Sequence, residues 1–335
     1  MVSPGSSFTF VDLFAGIGGI RKAFQNLGGR CVFSSEIDPF ARKTYCANFD
    51  EEPFGDITKI NKCDIPDHDI LAAGFPCQAF SIAGKRGGFN DTRGTLFFEV
   101  ADILKVKKAK AFFLENVKGL ANHKQGKTLE TILNVLRNDL GYVVPDPKII
   151  NARDYGVPQN RERIFIVGFR GDLGIKAEDF SYPAAVNFKK SLKDILEDKP
   201  VSFKYYLSSK YLECLQKHKN RNAAKGNGFG YEILDPDSVA NALVVGGMGK
   251  ERNLVRDERL ENSVAYEKIN KDGIRKMTPR EWARVQGFPD SFKIPVSDSQ
   301  AYKQFGNSVA VPAVQAVAEV LIKLLNDRGL TTRRI

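Results

Sequence analysis

The sequence predicts an α/β fold: a mostly parallel sheet with helices on both faces, joined to a smaller second domain. Three observations carry this. Apolar strand-like runs alternate with amphipathic helical stretches through the first half. The residues with chemical potential fall at the carboxyl ends of those runs, where open α/β sheets bind their ligands. After about residue 185 the texture changes: segment 202–225 holds Lys204, Lys210, Lys217, Lys219, Arg221 and Lys225 against one acid, Glu213, and glycines then cluster at 226, 228, 230, 246, 247 and 249.

The expected strands are Phe8 to Phe14, Cys31 to Ser35, His68 to Gly74, Ala111 to Leu114 and Ile164 to Phe169. Thr128 to Leu140 reads as a helix, with Leu129, Ile132, Leu133 and Leu136 on one face. Val309 to Leu325 is a second apolar helix, expected to return to the first domain. The expected division is 1–188, completed by 300–325, for the larger domain and 189–299 for the smaller. A chain of 335 residues is long enough for both.

Composition narrows the class. Hydrophobic residues make up 42% and charged residues 27%, values of a globular protein. No uninterrupted apolar run approaches the roughly 20 residues that span a bilayer, and Met1 to Ser7 lacks a basic-then-apolar leader. A cytoplasmic protein with no membrane partner is expected. The five cysteines (31, 46, 63, 77 and 214) form no CxxC pair, so no zinc ribbon is indicated and no metal is expected. The net charge of +10 points to a polyanionic partner, since Lys and Arg neutralise phosphates with release of counterions, or else to solvated basic faces.

Phe14-Ala15-Gly16-Ile17-Gly18-Gly19 joins the first strand to a helix. Glycines there let backbone approach a ligand closely. The loop departs from G-x-G-x-x-G and reads equally as a tight turn. Glu36, ending the second strand, can accept bonds from both hydroxyls of a ribose or be a solvated strand end. Asp56 is a turn residue able to meet an amino group.

Gly74-Phe75-Pro76-Cys77-Gln78 is more specific. Proline fixes the backbone before the thiol, and the following segment holds Ser81, Gly84, Lys85, Arg86, Gly87 and Gly88. Cationic neighbours favour thiolate, so Cys77 is a candidate nucleophile and the basic loop to Gly94, with Arg86 and Arg93, a candidate lid. A zinc deaminase needs a second Cys three residues on and an upstream His-x-Glu, but position 80 is Phe and His68 is followed by Asp69-Ile70. Glu115-Asn116-Val117 ends an apolar run; taken singly Glu115 reads first as a strand-end carboxylate that reaches water, and otherwise as a half-desolvated carboxyl that can hold a proton.

Asp12 to Gly19, Gly74 to Gln78, Glu115 to Val117, Gln159-Asn160-Arg161-Glu162-Arg163 and Gln304-Phe305-Gly306-Asn307-Ser308 occur in that order. Together they resemble the ordered motif set of bacterial DNA (cytosine-5)-methyltransferases, over roughly residues 8 to 325. The resemblance implies a Rossmann-like, S-adenosylmethionine-dependent fold with a target-recognition domain, and double-stranded DNA as partner. It implies Cys77 as the nucleophile at carbon 6 of cytosine, Glu115 at N3, Asn116 and Val117 holding the base and the glutamate, and Arg161 and Arg163 at the O2 side. It places Phe14 against adenine, with Gly16 and Gly18 in the loop, Glu36 on the ribose, Asp56 on the adenine amine, and Asn307 and Ser308 completing the pocket. Gln78, Ser81, Arg86, Arg93, Asn116, Lys250, Arg252 and Asn253 are the expected DNA contacts.

Gly226 to Glu232 and Gly246 to Val255 further resemble the HpaII-type subgroup, which acts on the inner cytosine of CCGG within restriction-modification systems. A monomer on DNA is expected. Many members of the family carry Thr before the Leu or Ile of this region, whereas this chain has Asn241-Ala242-Leu243, a trait shared with that subgroup. Relatives acting on transfer RNA have a much reduced recognition region, unlike the full-sized, basic residues 190–300 here. A non-enzymatic pseudo-methyltransferase would be expected to have lost Cys77, Glu115 or the glycine loop, and all three are present.

Overall fold

The computed structural model describes residues 8–76, 96–186, 189–228, 230–257, 259 and 269–331. Two compact units divide the chain. Unit 1 comprises Met1–Asn151, Glu162–Ala185 and Val311–Ile335, and unit 2 comprises Ala152–Arg161 and Val186–Ala310. This differs from the expected division at two places. Residues 152–161 pack with unit 2 because β7 (Gln159–Asn160) pairs in parallel with β9 (Ala240–Asn241). Residues 300–310 do so because Tyr302 packs edge-on to Trp282, and Phe305 on Phe288 and Phe292.

Unit 1 is built on a seven-stranded sheet. Its central strands are β1 (Thr9–Leu13), β2 (Arg30–Ser35), β3 (Ile70–Gly74) and β4 (Ala111–Val117), in the spatial order β2-β1-β3-β4, all parallel. β8 (Glu162–Arg170) then joins β4 antiparallel, and its far edge carries β5 (Tyr142–Val143) and β6 (Lys148–Asn151). The sequence locates the fifth apolar run but not its direction, because a strand buried on both faces reads alike either way.

Alternate residues serve the two faces. Val11, Leu13, Leu71, Ala73, Phe112, Leu114 and Ile166 pack with α3 (Leu96–Lys107) and α4 (Lys127–Asn134). On the other face Phe24 of α1 (Gly19–Asn26) lies edge-on to Phe113, 5.4 Å between centroids, and α1 packs against α8 (Val311–Asp327). The helix expected over 128–140 ends as α4 at Asn134 and continues as a π-turn over Val135–Asp139. Asp298–Asp327 is by length and composition apolar enough to cross a membrane, beyond what the sequence reading allowed. It is two helices, α7 (Asp298–Asn307) and α8, and α8 buries Val314, Val317, Leu321, Ile322 and Leu325.

Unit 2 is organised around α5 (Ser209–Ala224) and the antiparallel pair β10 (Leu254–Arg256) and β11 (Ile274–Lys276). Leu207, Leu215, Leu254 and Ile274 form the core between them. Helix α6 (Pro279–Val285) starts at a reciprocal cap in which Thr278 Oγ1 accepts from Glu281 N–H and the Glu281 carboxylate accepts from Thr278 N–H.

Candidate active site and cofactor loop

β1 ends at Leu13, and the chain turns at once. Phe14 takes φ +55° and Gly16 φ +56°, both left-handed. Ala15 N–H donates to Ser35 O (2.9 Å), which ties the loop to the end of β2. Gly18, at φ +85°, must be glycine for a second reason: a Cβ there would lie 2.2 Å from the Phe49 ring. Glu36 fastens the same turn, Oε2 accepting Gly16 N–H (2.8 Å) and Oε1 accepting Asp38 N–H (2.7 Å). Each oxygen therefore already spends one lone pair on backbone. Asp56 caps a short 3₁₀ turn by accepting from the N–H and hydroxyl of Thr58, and those bonds hold its carboxyl below the usual range. Ile37 and Phe54 stand exposed at this end of the sheet, Phe54 stacked on Phe33 at 4.8 Å.

Beneath the loop lies a charged cluster that sequence reasoning missed. Asp12 is fully buried in β1, and burial pushes its carboxyl well above the usual range, against the pull of Arg21. Arg21 donates to Tyr45 Oη (2.9 Å) and Glu51 Oε2 (2.7 Å), and Ser34 Oγ donates to Glu51 Oε1 (3.1 Å). The available signal was an Asp inside an apolar strand followed nine positions later by an Arg on the apolar side of a helix.

Glu115 lies inside β4, not at its end, opposite Gly74 of β3 and Phe165 of β8. It is buried, and Arg163, one diagonal step away on β8, brings Nε to 3.0 Å from Glu115 Oε1. A Cβ on Gly74 would sit 3.5 Å from Glu115 Oε2, in ordinary contact. Burial lowers the pKa of the Arg163 guanidinium, and the Glu115 charge opposes that shift without cancelling it. Asn116 is buried beside it: its amide donates to Phe75 O (2.8 Å) and its Oδ1 accepts Val117 N–H (2.8 Å). Asn116 thus fixes the backbone two residues before Cys77. Cys77, Gln78, Ser81, Arg86 and Arg93 lie outside the described residues, as does the candidate lid.

In unit 2, Arg161 is buried and donates to three carbonyls, Leu243 (2.8 Å), Gly306 (3.1 Å) and Ser308 (2.5 Å). It works as a clamp on two loops, a task that the sequence reading did not include. Gln159 and Gln286 complete the clamp. Gln159 accepts Leu243 N–H (3.1 Å) and donates to Gln286 Oε1 (3.1 Å), and Gln286 donates to Phe305 O (2.7 Å). Gln286 was not singled out in the sequence, where a Gln between Val285 and Gly287 gives no sign of burial. Asn307 is exposed at the end of α7, and Ser308 is buried.

The expected base-reading residues separate. Lys250 lies over the Tyr302 ring at 4.9 Å. Arg252 is half-buried, its carbonyl accepting from Asn241 Nδ2 (2.9 Å), and its guanidinium enters no hydrogen bond or ion pair among the described residues. Asn253 is fully buried, its amide turned to Gly249 O at 3.4 Å. An enclosed amide cannot meet a base edge, so Asn253 shapes the loop and is withdrawn from the reading set.

Comparison with known proteins decides the family. The model of the C-5 cytosine-specific DNA methylases matches residues 8–323. The chain belongs to that family. It is 63% identical over 326 residues to the type II methyltransferase M.HpaII of Haemophilus parainfluenzae, covering 96% of this chain and 90% of that one. It is 51% identical to M1.ScrFI of Lactococcus lactis subsp. cremoris, covering 96% and 79%. Among solved structures, the Dnmt2 methyltransferase of S. pombe shares the fold, with TM-score 0.72 and 24% identity over 95% of this chain and 99% of that one. The chain is therefore a DNA (cytosine-5-)-methyltransferase on an α/β scaffold, related to the enzymes of type II restriction-modification systems.

For this methylase, use of S-adenosylmethionine is a property of the family. The residues present fit such a group. The loop at Gly16 and Gly18 is kept open by positive φ, exposed apolar Ile37 and Phe54 suit a purine face, and Glu36 keeps one lone pair on each oxygen for hydroxyl donors.

Proposed function

We propose that the enzyme methylates carbon 5 of the inner cytosine in CCGG duplexes, with Cys77 as nucleophile and Glu115 as the group that serves N3. The observation that carries this reading is the pairing of two neighbours in β4. Glu115 is buried against Arg163 at 3.0 Å, while Asn116 holds the Phe75 carbonyl that leads into Pro76-Cys77.

The division of labour follows from the chemistry of the ring. Carbon 5 of cytosine is a poor nucleophile. Addition of the Cys77 thiolate to carbon 6 pushes electrons toward N3, and the adduct becomes enamine-like at carbon 5. Glu115 holds a proton at N3 so that the ring accepts those electrons. Arg163 keeps the Glu115 carboxyl in place. When bound, S-adenosylmethionine supplies an electrophilic methyl group for carbon 5, with Phe14, Ile37, Glu36 and Asp56 as the residues of unit 1 that would hold it. Water then takes the proton from carbon 5, that electron pair re-forms the C5=C6 bond as the C–S bond breaks, Cys77 leaves as thiolate, and N3 returns its proton to Glu115. The base must be flipped from the duplex, at a cost of a few kcal/mol.

Supporting the CCGG reading are the 63% identity to M.HpaII and the Gly246 to Val255 resemblance. With it go a restriction-modification role, a cytoplasmic location and action as a monomer on DNA. Bisulfite sequencing of plasmid from a host expressing the gene tests the site, and methylation confined to another sequence ends the CCGG assignment alone. The nucleophile is tested with duplex carrying 5-fluorocytosine at the target, from which the carbon-5 substituent cannot leave. Wild type is expected to remain covalently attached and Cys77→Ala to form no adduct. An adduct that survives in Cys77→Ala removes Cys77 from the role.

A further inference from the structure

The long helix of unit 2 has two unlike sides. One side is its anchor. Leu215 is buried with Leu254 and Ile274, Tyr211 donates to Glu251 Oε1 (3.1 Å), Lys219 lies over the Tyr231 ring at 5.1 Å, and Tyr231 donates to Gln216 Oε1 (2.7 Å). These contacts fasten α5 to the 231–254 segment, which carries Lys250 and Arg252.

The other side carries Lys210, Lys217 and Arg221, followed by Lys225 at the carboxyl end. All four are exposed, and none enters a hydrogen bond or ion pair among the described residues. At about 100° per residue these positions fall within an arc of about 80°, centred about 120° round from Leu215. At 1.5 Å per residue they stand about 10, 6 and 6 Å apart along the axis. Glu213, the one acid on the helix, borders the arc and joins none of the ion pairs among the described residues. Helix stability does not call for this row. Like charges at i, i+4 destabilise a helix by a few tenths of a kcal/mol each, and Lys217–Arg221 and Arg221–Lys225 are two such pairs. A row of unpaired cations about 6 to 10 Å apart presents repeated positive charge to the backbone of a polyanion.

We infer that this face of α5 lies along the phosphates of duplex DNA flanking the recognition site, extending the footprint beyond the bases read by the neighbouring loop. The inference rests on the proposed action on a duplex site. Phosphate contacts of this kind carry no sequence information; they position the protein and add a salt-dependent affinity.

The test compares wild type with the variant Lys210→Gln/Lys217→Gln/Arg221→Gln/Lys225→Gln, since glutamine preserves helix propensity. Binding is measured from 50 to 200 mM salt on two duplexes sharing one CCGG site, a short one covering little more than the site and a long one with flanks on both sides. Methylation of both by wild type is checked first. No methylation means that the function proposed above fails, whatever the helix does. On the long duplex the variant is expected to lose about 3–4 units of salt slope, so that its advantage from lowering salt fourfold shrinks by about 10²-fold. On the short duplex the two proteins are expected to bind alike. An unchanged slope on the long duplex overturns the inference, as does an equal loss on both, or a loss confined to competitor RNA. Cys214 supplies a check that needs no variant. It is exposed inside the arc, one turn from Lys210 and Lys217 and two from Arg221. Its maleimide labelling, mapped by mass, is expected to slow at least severalfold with the long duplex and not with the short one. Equal labelling with both contradicts the inference.

Discussion

Each unit sets an arginine against carboxylates, and the two arrangements differ in the balance between burial and charge. In unit 2, Arg275 is completely enclosed. It forms a two-pronged pair with Glu281 (2.8 and 2.8 Å), and its Nε reaches Asp257 Oδ2 at 2.9 Å. The carboxylates are occupied further: Glu281 accepts from the backbone of Thr278 (2.7 Å) and Glu197 (3.0 Å), and Asp257 accepts from Arg259 (2.8 Å). Burial opposes the Arg275 charge, but Glu281 outweighs it and raises the pKa. In unit 1 the balance is reversed. Arg163 Nε lies 3.0 Å from Glu115 Oε1, and burial wins over that charge, lowering the arginine's pKa. A locked cluster holds a fold together. The Glu115–Arg163 pair lies where the proposed reaction calls for a proton at N3.

The comparison predicts that the two clusters fail differently. Arg275→Met leaves Glu281 buried without a cation and Asp257 with Arg259 alone, and breaking a buried pair in this way costs about 3–5 kcal/mol. Urea unfolding is expected to show that loss. A loss under about 1 kcal/mol would mean that water replaces the guanidinium and that the cluster is not locked. At the other pair, Glu115→Gln keeps size and removes the acid. Single-turnover methyl transfer is expected to fall by about 10²-fold or more with the unfolding midpoint nearly unchanged. If stability falls and rate does not, Glu115 is structural.

That contrast also marks what the sequence could carry. The parallel strands were legible because Phe10-Val11, Leu71-Ala72 and Phe112-Phe113 are apolar on both faces, and the positions of the glycine loop, Glu36 and Glu115 followed from them. The direction of β8 was not legible, since a run buried on both faces suits either neighbour polarity. Nor was the task of Arg161. In sequence it is the twin of Arg163, two positions away, yet the boundary between units falls between them. Arg161 therefore serves carbonyls at 243, 306 and 308, which only long-range packing brings together. Asn253 failed for a related reason: a polar residue in a glycine-rich stretch reads as exposed until the loop closes over it.

Acid sharpens the comparison in a third way. Burial disfavours the Asp257 carboxylate, but the bonds from Arg259 and the charge of Arg275 outweigh it and bring its pKa down to about 2. A carboxyl with a depressed folded-state pKa stabilises above its unfolded value and loses that contribution as pH falls through the folded value. About 2 kcal/mol is therefore expected to disappear between about pH 4 and pH 2. In Asp257→Asn that part of the pH dependence is expected to be absent. A variant whose acid profile matches wild type would show that other carboxylates set it.

The smallest effect concerns Arg252, whose guanidinium has no partner among the described residues although its backbone is held by Asn241. Its fixed main chain and free head group suit recognition, since arginine reads guanine O6 and N7 with two bonds. A base-reading Arg252, changed to Ala, is expected to cost about 1–3 kcal/mol on CCGG and to relax discrimination at one base pair. A phosphate-holding Arg252 would instead weaken all sequences alike and take about one unit from the salt slope, as each cation on α5 is expected to do. The two outcomes separate in one set of titrations on CCGG and its single-base variants at two salt concentrations. Anchoring favours the first, because an arginine that only neutralises phosphate gains little from a backbone pinned at Asn241, whereas bidentate geometry depends on it.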